Sequence, residues 1–213
     1  MLTLEPVDRT IHYAKKDRID RPMFMVTGYA RSKAGHLRYH VKDINHFSKT
    51  EGKQGYITTK WNYVRPAYYQ GKHSTITVIG VNGVDAYKHK NLTGKIRNYK
   101  QGTVLKVKNI VHHNLTNRYV LSNGQYITDN RKLVNMGRHK QPLLVKAKTS
   151  VNRYNKVNLT GRNRNFKRNQ VFKVEDYEYS NSQNVTKRGT LRYKVAGGYI
   201  TGNDKYIEVI KWI

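Results

Sequence analysis

The chain has 213 residues, with 41 Lys+Arg against 13 Asp+Glu, nine His, no Cys and a formal net charge of +28. Without Cys there are no disulfides, no Cys-ligated zinc or iron–sulfur centre and no thiol nucleophile. The longest apolar stretch free of charge, residues 75–81, is far below the roughly 20 residues that span a bilayer, so no membrane span is expected. The N-terminus lacks a basic n-region and an apolar h-region, so no signal peptide is visible, as in a fragment excised from a longer exported chain. Charge of one sign in this excess destabilises a compact state by self-repulsion, which points to a polyanionic partner. Nucleic acid, an acidic membrane surface and a phosphate-rich wall polymer are the candidates. The 17 Tyr, only four Pro and dense β-branched stretches argue for a folded chain with lean cores.

Taken in order, the strand signals recur three times. Met-Phe-Met-Val at 23–26 precedes Leu-Arg-Tyr-His-Val at 37–41, a polar connection at 42–54, and Gly-Tyr-Ile-Thr at 55–58. Val-Leu-Lys-Val at 104–107 precedes Asn-Arg-Tyr-Val-Leu at 117–121, and Ser-Asn-Gly at 122–124, suited to a type I′ hairpin turn, leads to Gln-Tyr-Ile-Thr at 125–128. Val-Phe-Lys-Val at 171–174 precedes Leu-Arg-Tyr-Lys-Val at 191–195 and Gly-Tyr-Ile-Thr at 198–201. Successive Tyr-Ile-Thr copies lie 70 and 73 residues apart, and an aromatic or Leu followed by Val or Ile comes five residues after each Thr. The second and third copies also share a basic segment: residues 91–100 align without gaps to residues 158–167.

Modules are therefore drawn at 1–70, 71–138 and 139–213, the first divergent in its N-terminal part. No Gly/Ser- or Pro-rich linker separates them, so close packing is expected. Each reads as about five short antiparallel strands with a basic loop near its start. The expected fold is all-β: three tandem SH3-like barrels of about 65–75 residues.

The order Asn-Leu-Thr-Gly-[Lys/Arg], Gly-Thr-Val-Leu-Lys-Val-Lys, Arg-Tyr-x-Leu and Asn-Gly-x-Tyr-Ile-Thr resembles the repeats of lactobacillal surface proteins, the S-layer-protein-type wall-binding domains and a related repeat of secreted proteins. That resemblance implies SH3-like folds and an extracellular place on the Gram-positive wall. It implies a non-catalytic anchor that holds an S-layer or other secreted protein to teichoic acid, lipoteichoic acid or another wall glycopolymer. S-layer self-assembly would then use a region outside this chain. Weak modules in tandem would gain by effective concentration.

Period-two alternation places Leu37, Tyr39 and Val41, then Asn117, Tyr119 and Leu121, then Leu191, Tyr193 and Val195 on inward faces. Arg38, Arg118 and Arg192 then face outward beside Tyr56, Tyr126 and Tyr199. An Arg fork can grip phosphate while a Tyr ring stacks on a sugar or alditol; the plainer role is Arg covering a half-buried ring. The basic segments add Lys95, Arg97 and Lys100, and Arg162, Arg164, Lys167 and Arg168, as polyanion contacts. A merely solvated face is the plainer role here too.

Catalysis finds little support. No Gly-x-Ser-x-Gly, His-Glu-x-x-His or Walker-type motif occurs, and His112 and His113, neighbours on a strand, point to opposite faces rather than to one metal. No cofactor is expected. A nucleic-acid-binding basic β-protein is the main rival, although no zinc-finger, helix-turn-helix or RNP-type motif is present. A wall-targeting region of a peptidoglycan hydrolase and an adhesin for host anionic glycans share the same chemistry.

Overall fold

The computed structural model describes residues 3–4 and 11–213, and among these the regular structure is β apart from a 3-10 turn at Arg18–Asp20. The chain divides into two compact units, residues 1–67 with 181–188, and residues 68–180 with 189–213.

In the first unit, β1 (Thr3–Leu4), β2 (Phe24–Ser32), β3 (Leu37–Asp43) and β4 (Gln54–Thr58) form one sheet in that order, with β1 parallel to β2 and the rest antiparallel. Its inward pair is Tyr39 opposite Ile57. With only four strands the inward face is incompletely covered: Val41 is buried, but Tyr39 and Ile57 are half-buried and Leu37 is exposed. A satisfied buried carboxylate braces this sheet. Asp43 accepts hydrogen bonds from the Tyr13 hydroxyl (2.6 Å) and from the Asn45 amide and side chain (both 2.7 Å). Burial and that bond to Asp43 push the Tyr13 phenol up to about 12. Residues 181–188 complete the unit: the Val185 carbonyl accepts from the Ala14 amide, and the Asn181 carbonyl accepts from the buried Lys16 ammonium.

The second unit contains two copies of one topology. The first comprises β5 (Thr75–Val78), β6 (Val84–Tyr87), β7 (Lys95–Tyr99), β8 (Val104–His113), β9 (Thr116–Leu121), β10 (Tyr126–Thr128) and β11 (Val134–Met136). They form one sheet in the order β11-β5-β8-β9-β10-β6-β7. The second comprises β12 (Pro142–Ala147), β13 (Val151–Tyr154), β14 (Arg162–Phe166), β15 (Val171–Lys173), β16 (Asp176–Tyr179), β17 (Leu191–Val195), β18 (Gly198–Thr201) and β19 (Ile207–Trp212). Here the sheet is divided, as β15-β12-β19 and β14-β13-β18-β17-β16, because the long strand equivalent to β8 is interrupted between Lys173 and Asp176.

The turns repeat as faithfully as the strands. Left-handed backbone recurs 67 residues apart at Leu92 and Leu159 (φ 59° and 58°), Gly94 and Gly161 (68° and 69°), Gly102 and Asn169 (91° and 70°), and Asn114 and Asn181 (53° and 57°). A left-handed Leu is costly and is kept only where its surroundings impose it. The register changes at one place. Two residues separate His113 from Thr116, whereas nine separate Ser180 from Thr190, and this longer hairpin carries residues 181–188, which pack with the first unit.

The all-β expectation holds, but three SH3-like barrels do not. The sheets are open, with β11 and β7 as the edges of the seven-stranded sheet and no pairing among the described residues that closes either copy. The physical reason lies partly in the basic segments, which are not loops. Lys95–Tyr99 and Arg162–Phe166 are edge strands in which four of five residues are exposed, and charged edges resist further pairing.

Each copy has its own core. In the first, Tyr119 opposite Ile127 anchors Ile76, Val78, Val84, Leu105, Leu121 and Val134; in the second, Tyr193 opposite Ile200 anchors Val145, Val151, Phe172, Val195 and Ile207. The copies are joined by Gln101, whose side chain donates to the Tyr177 carbonyl (3.1 Å) and accepts from the Tyr177 amide (2.8 Å). Gln141 adds a second link, its side chain donating to the Val78 carbonyl (3.5 Å).

Ile127 is fully buried and Ile57 half-buried. Urea unfolding should therefore show Ile127→Ala costing about 2–5 kcal/mol, and Ile57→Ala less than half as much.

Candidate anion-binding faces

Because inward and outward residues alternate, the strands that bury Tyr119 and Ile127 turn another row outward. In the first copy of the second unit this row runs Asn109, Val120, Tyr126, Tyr87, Lys95, each directly opposite the next. The second copy presents Asp176, Lys194, Tyr199, Tyr154, Arg162 in the same register. Two tyrosines side by side, ending in an edge cation, are thus built twice. In the first unit only His40 opposite Tyr56 remains, their rings 4.8 Å apart.

One row further along lie Arg38, Arg118 and Arg192, each directly opposite the Thr of Tyr-Ile-Thr: Thr58, Thr128 and Thr201. All three guanidinium groups turn back along their own strand, Nη1 donating to the preceding carbonyl: Leu37 (3.1 Å), Asn117 (2.7 Å) and Leu191 (3.0 Å). Arg118 also donates to the Thr116 hydroxyl (2.7 Å). The Nε atoms of Arg118 and Arg192 are buried without a partner among the described residues, and burial lowers the pKa of Arg192. Part of each fork is therefore committed to the strand.

The edge cations are arranged differently. Lys95 is ion-paired to Asp85 (2.9 Å). Arg97 lies over the Tyr99 ring, and Arg164 over Phe166, with Arg153 on the same ring. No hydrogen bond or ion pair among the described residues engages the side chains of Lys100, Arg162, Lys167 or Arg168. The structure thus puts Arg118, Tyr126 and Lys95 on one face and Arg192, Tyr199 and Arg162 on another, while the remaining cations line the edges and turns.

The two equivalent faces differ in charge. On the second copy Glu178 accepts the Tyr199 hydroxyl (2.8 Å), and Asp176 lies 3.9 Å from the Lys194 ammonium. Burial and the bond to Glu178 push the Tyr199 phenol up to about 12. On the first copy the corresponding residues of β8 are Asn109 and Val111, uncharged. There a shallow open cleft of about 470 Å³ is lined by Lys88, His89, Lys90, Asn91, His113 and Tyr126. Of these, Tyr126 and Asn91 belong to repeated segments. The rest lie in the β6–β7 turn and at the end of β8, and their sequence signals were the run Lys-His-Lys at 88–90 and the His pair at 112–113. No group of three or more His, Asp or Glu able to hold a metal occurs among the described residues, and no helix among them is long and apolar enough to cross a membrane.

With this geometry in view, the likeness to other proteins is narrow. A sequence profile for a domain of unknown function, DUF5776, matches residues 68–134 and again 139–207, together more than half the chain. The chain belongs to the DUF5776 family. No curated protein and no solved structure matches it. The two DUF5776 copies coincide with the two equivalent sets of strands, and residues 1–67 lie outside both matches.

Beneath the outer face of the first DUF5776 copy lies a buried acid. Asp129 is fully buried, neither carboxylate oxygen has a hydrogen-bond partner among the described residues, and Arg118 and Arg131 are the cations acting on it. Burial outweighs the pull of its own backbone amide and of both arginines, and pushes its pKa up to about 6 from 3.8. The folded chain thus binds this proton more tightly than the unfolded chain. Its contribution to stability is greatest at low pH and is lost as pH rises from about 4 to 6, by roughly 3 kcal/mol in all. In urea unfolding, Asp129→Asn should gain on the native protein by about 2 kcal/mol between pH 4 and 7; a difference independent of pH would contradict the assignment.

Proposed function

We propose that this chain is a non-catalytic binding region that attaches an exported surface protein to an anionic glycopolymer of a Gram-positive cell wall, such as teichoic or lipoteichoic acid. The carrying observation is the pair of exposed edge strands, β7 and β14, with their following turns. There Lys100, Arg162, Lys167 and Arg168 project without a carboxylate partner among the described residues, on a protein of net charge +28. Free cations along an open sheet edge suit a flexible polymer whose phosphates recur along its length. Adjacent tyrosines supply stacking surface for the polyol or sugar between phosphates. Two DUF5776 copies in one chain would let a single polymer engage more than one such surface, raising apparent affinity through effective concentration.

The experiment is sedimentation of the full chain with purified walls, before and after chemical removal of teichoic acid. Binding to intact walls and loss with stripped walls is the expected result; equal sedimentation with both overturns it. Phosphate contacts release counterions, so affinity should fall tenfold or more between ~50 and ~200 mM salt. Random duplex DNA that competes as strongly as wall polymer would favour a general nucleic-acid or polyanion binder instead.

A further inference from the structure

The two DUF5776 copies share a backbone but not an outer face, and the difference amounts to an internal control. We infer that the cleft of the first copy is a subsite for one phosphate-bearing saccharide or polyol unit, and that the carboxylates of β16 close the equivalent place on the second copy. The inference rests on the wall-polymer reading for its biological ligand.

Three observations carry it. The cleft places two lysines and two histidines around the half-buried Tyr126 ring, so ammonium and imidazole donors can converge on an anion while the ring packs against the carbon skeleton attached to it. At the positions of Lys88, His89, Lys90 and His113 the second copy carries Asn155, Lys156, Val157 and Ser180, which leaves one cation in place of two lysines and two imidazoles. Finally, the side chain of Asn155 already bonds Asn163, and the phenol of Tyr199 is held by Glu178. An incoming phosphate would there displace a satisfied carboxylate and meet the charges of Glu178 and Asp176. Like charges on one face are repulsive, so the second face rejects what the first accepts. The first unit has no strands equivalent to β6 and β7 in its described sheet, and hence no such cleft.

The test is NMR of the full-length labelled chain titrated with glycerol 3-phosphate, with inorganic phosphate as the anion-only arm. The ring signals of His89 and His113 and the ring of Tyr126 should shift on titration, more strongly with glycerol 3-phosphate, while Tyr199 stays silent. Lys88→Ala with Lys90→Ala, both in an exposed turn, should weaken the response at least tenfold with the remaining spectrum unchanged. Asn155→Lys and Val157→Lys together with Asp176→Asn and Glu178→Val give the second face the lysines of the first copy and β16 the residues of β8, and should bring Tyr199 into response. Silence of the histidines, a native response at Tyr199 equal to that at Tyr126, or continued silence of Tyr199 in the second variant overturns the inference. Wall sedimentation separates the two proposals. If the native chain sediments only with intact walls while the cleft is silent, the anchor reading stands and the subsite fails. If the cleft responds but walls are not bound, the reverse holds.

Discussion

A strand with one face in a core and the other in solvent depends on its register, because a slip of one residue exchanges the faces. Here the register is held by a Tyr directly opposite an Ile: Tyr39 with Ile57, Tyr119 with Ile127, Tyr193 with Ile200. In the second unit both partners are buried, and each pair sits at the centre of its own core. Displacing either would expose a large aromatic surface and bring Arg118 or Arg192 inward. The pair therefore fixes more than stability. It determines that Arg and Thr, and then the second Tyr, emerge together on the outer side.

Once the inner pair is secured, the outer face can differ while the register is kept, and the two DUF5776 copies show how far. Asn109 and Val111 in one stand where Asp176 and Glu178 stand in the other. The pairing of these residues with the following strand is kept, while the electrostatic character differs. Glu178 binds Tyr199 and Asp176 approaches Lys194, whereas the Tyr126 side is left to lysine and histidine. A repeat can thus be duplicated as architecture and diverge as surface.

The alternation Leu-Arg-Tyr-Lys-Val made the inner and outer sets legible from sequence, and the repeat order revealed the equivalence of the second and third copies, because both are consequences of a period-two strand. Closure was not legible. Whether edge strands pair depends on geometry distant in the chain, and the cation-rich segments at 95–99 and 162–166 look like loops when judged by composition alone. They are strands because the left-handed residues Leu92 and Gly94, and Leu159 and Gly161, turn the chain back against β6 and β13. The commitment of Arg118 and Arg192 to their own carbonyls was equally hidden, since an outward position says nothing about where a long side chain then bends. The cleft was hidden for a third reason: Lys88, His89, Lys90 and His113 come from a turn and a strand end outside the repeated segments.

Open sheets impose a requirement that barrels avoid. An unpaired edge invites another strand, and charge along it is one protection. β7 and β14 meet this with Lys95 and Arg97, and with Arg162 and Arg164. Protection by cations adds to a net charge of +28, and that charge works against the compact state. A polyanion lying along these edges would offset the repulsion, and because it binds the folded form, mass action would stabilise that form further. Edge protection and the proposed attraction to a phosphate polymer would thus draw on the same side chains. Removing the cations to relieve self-repulsion would at once expose the edges to pairing, so the excess charge is tied to the openness of the fold as well as to its proposed ligand.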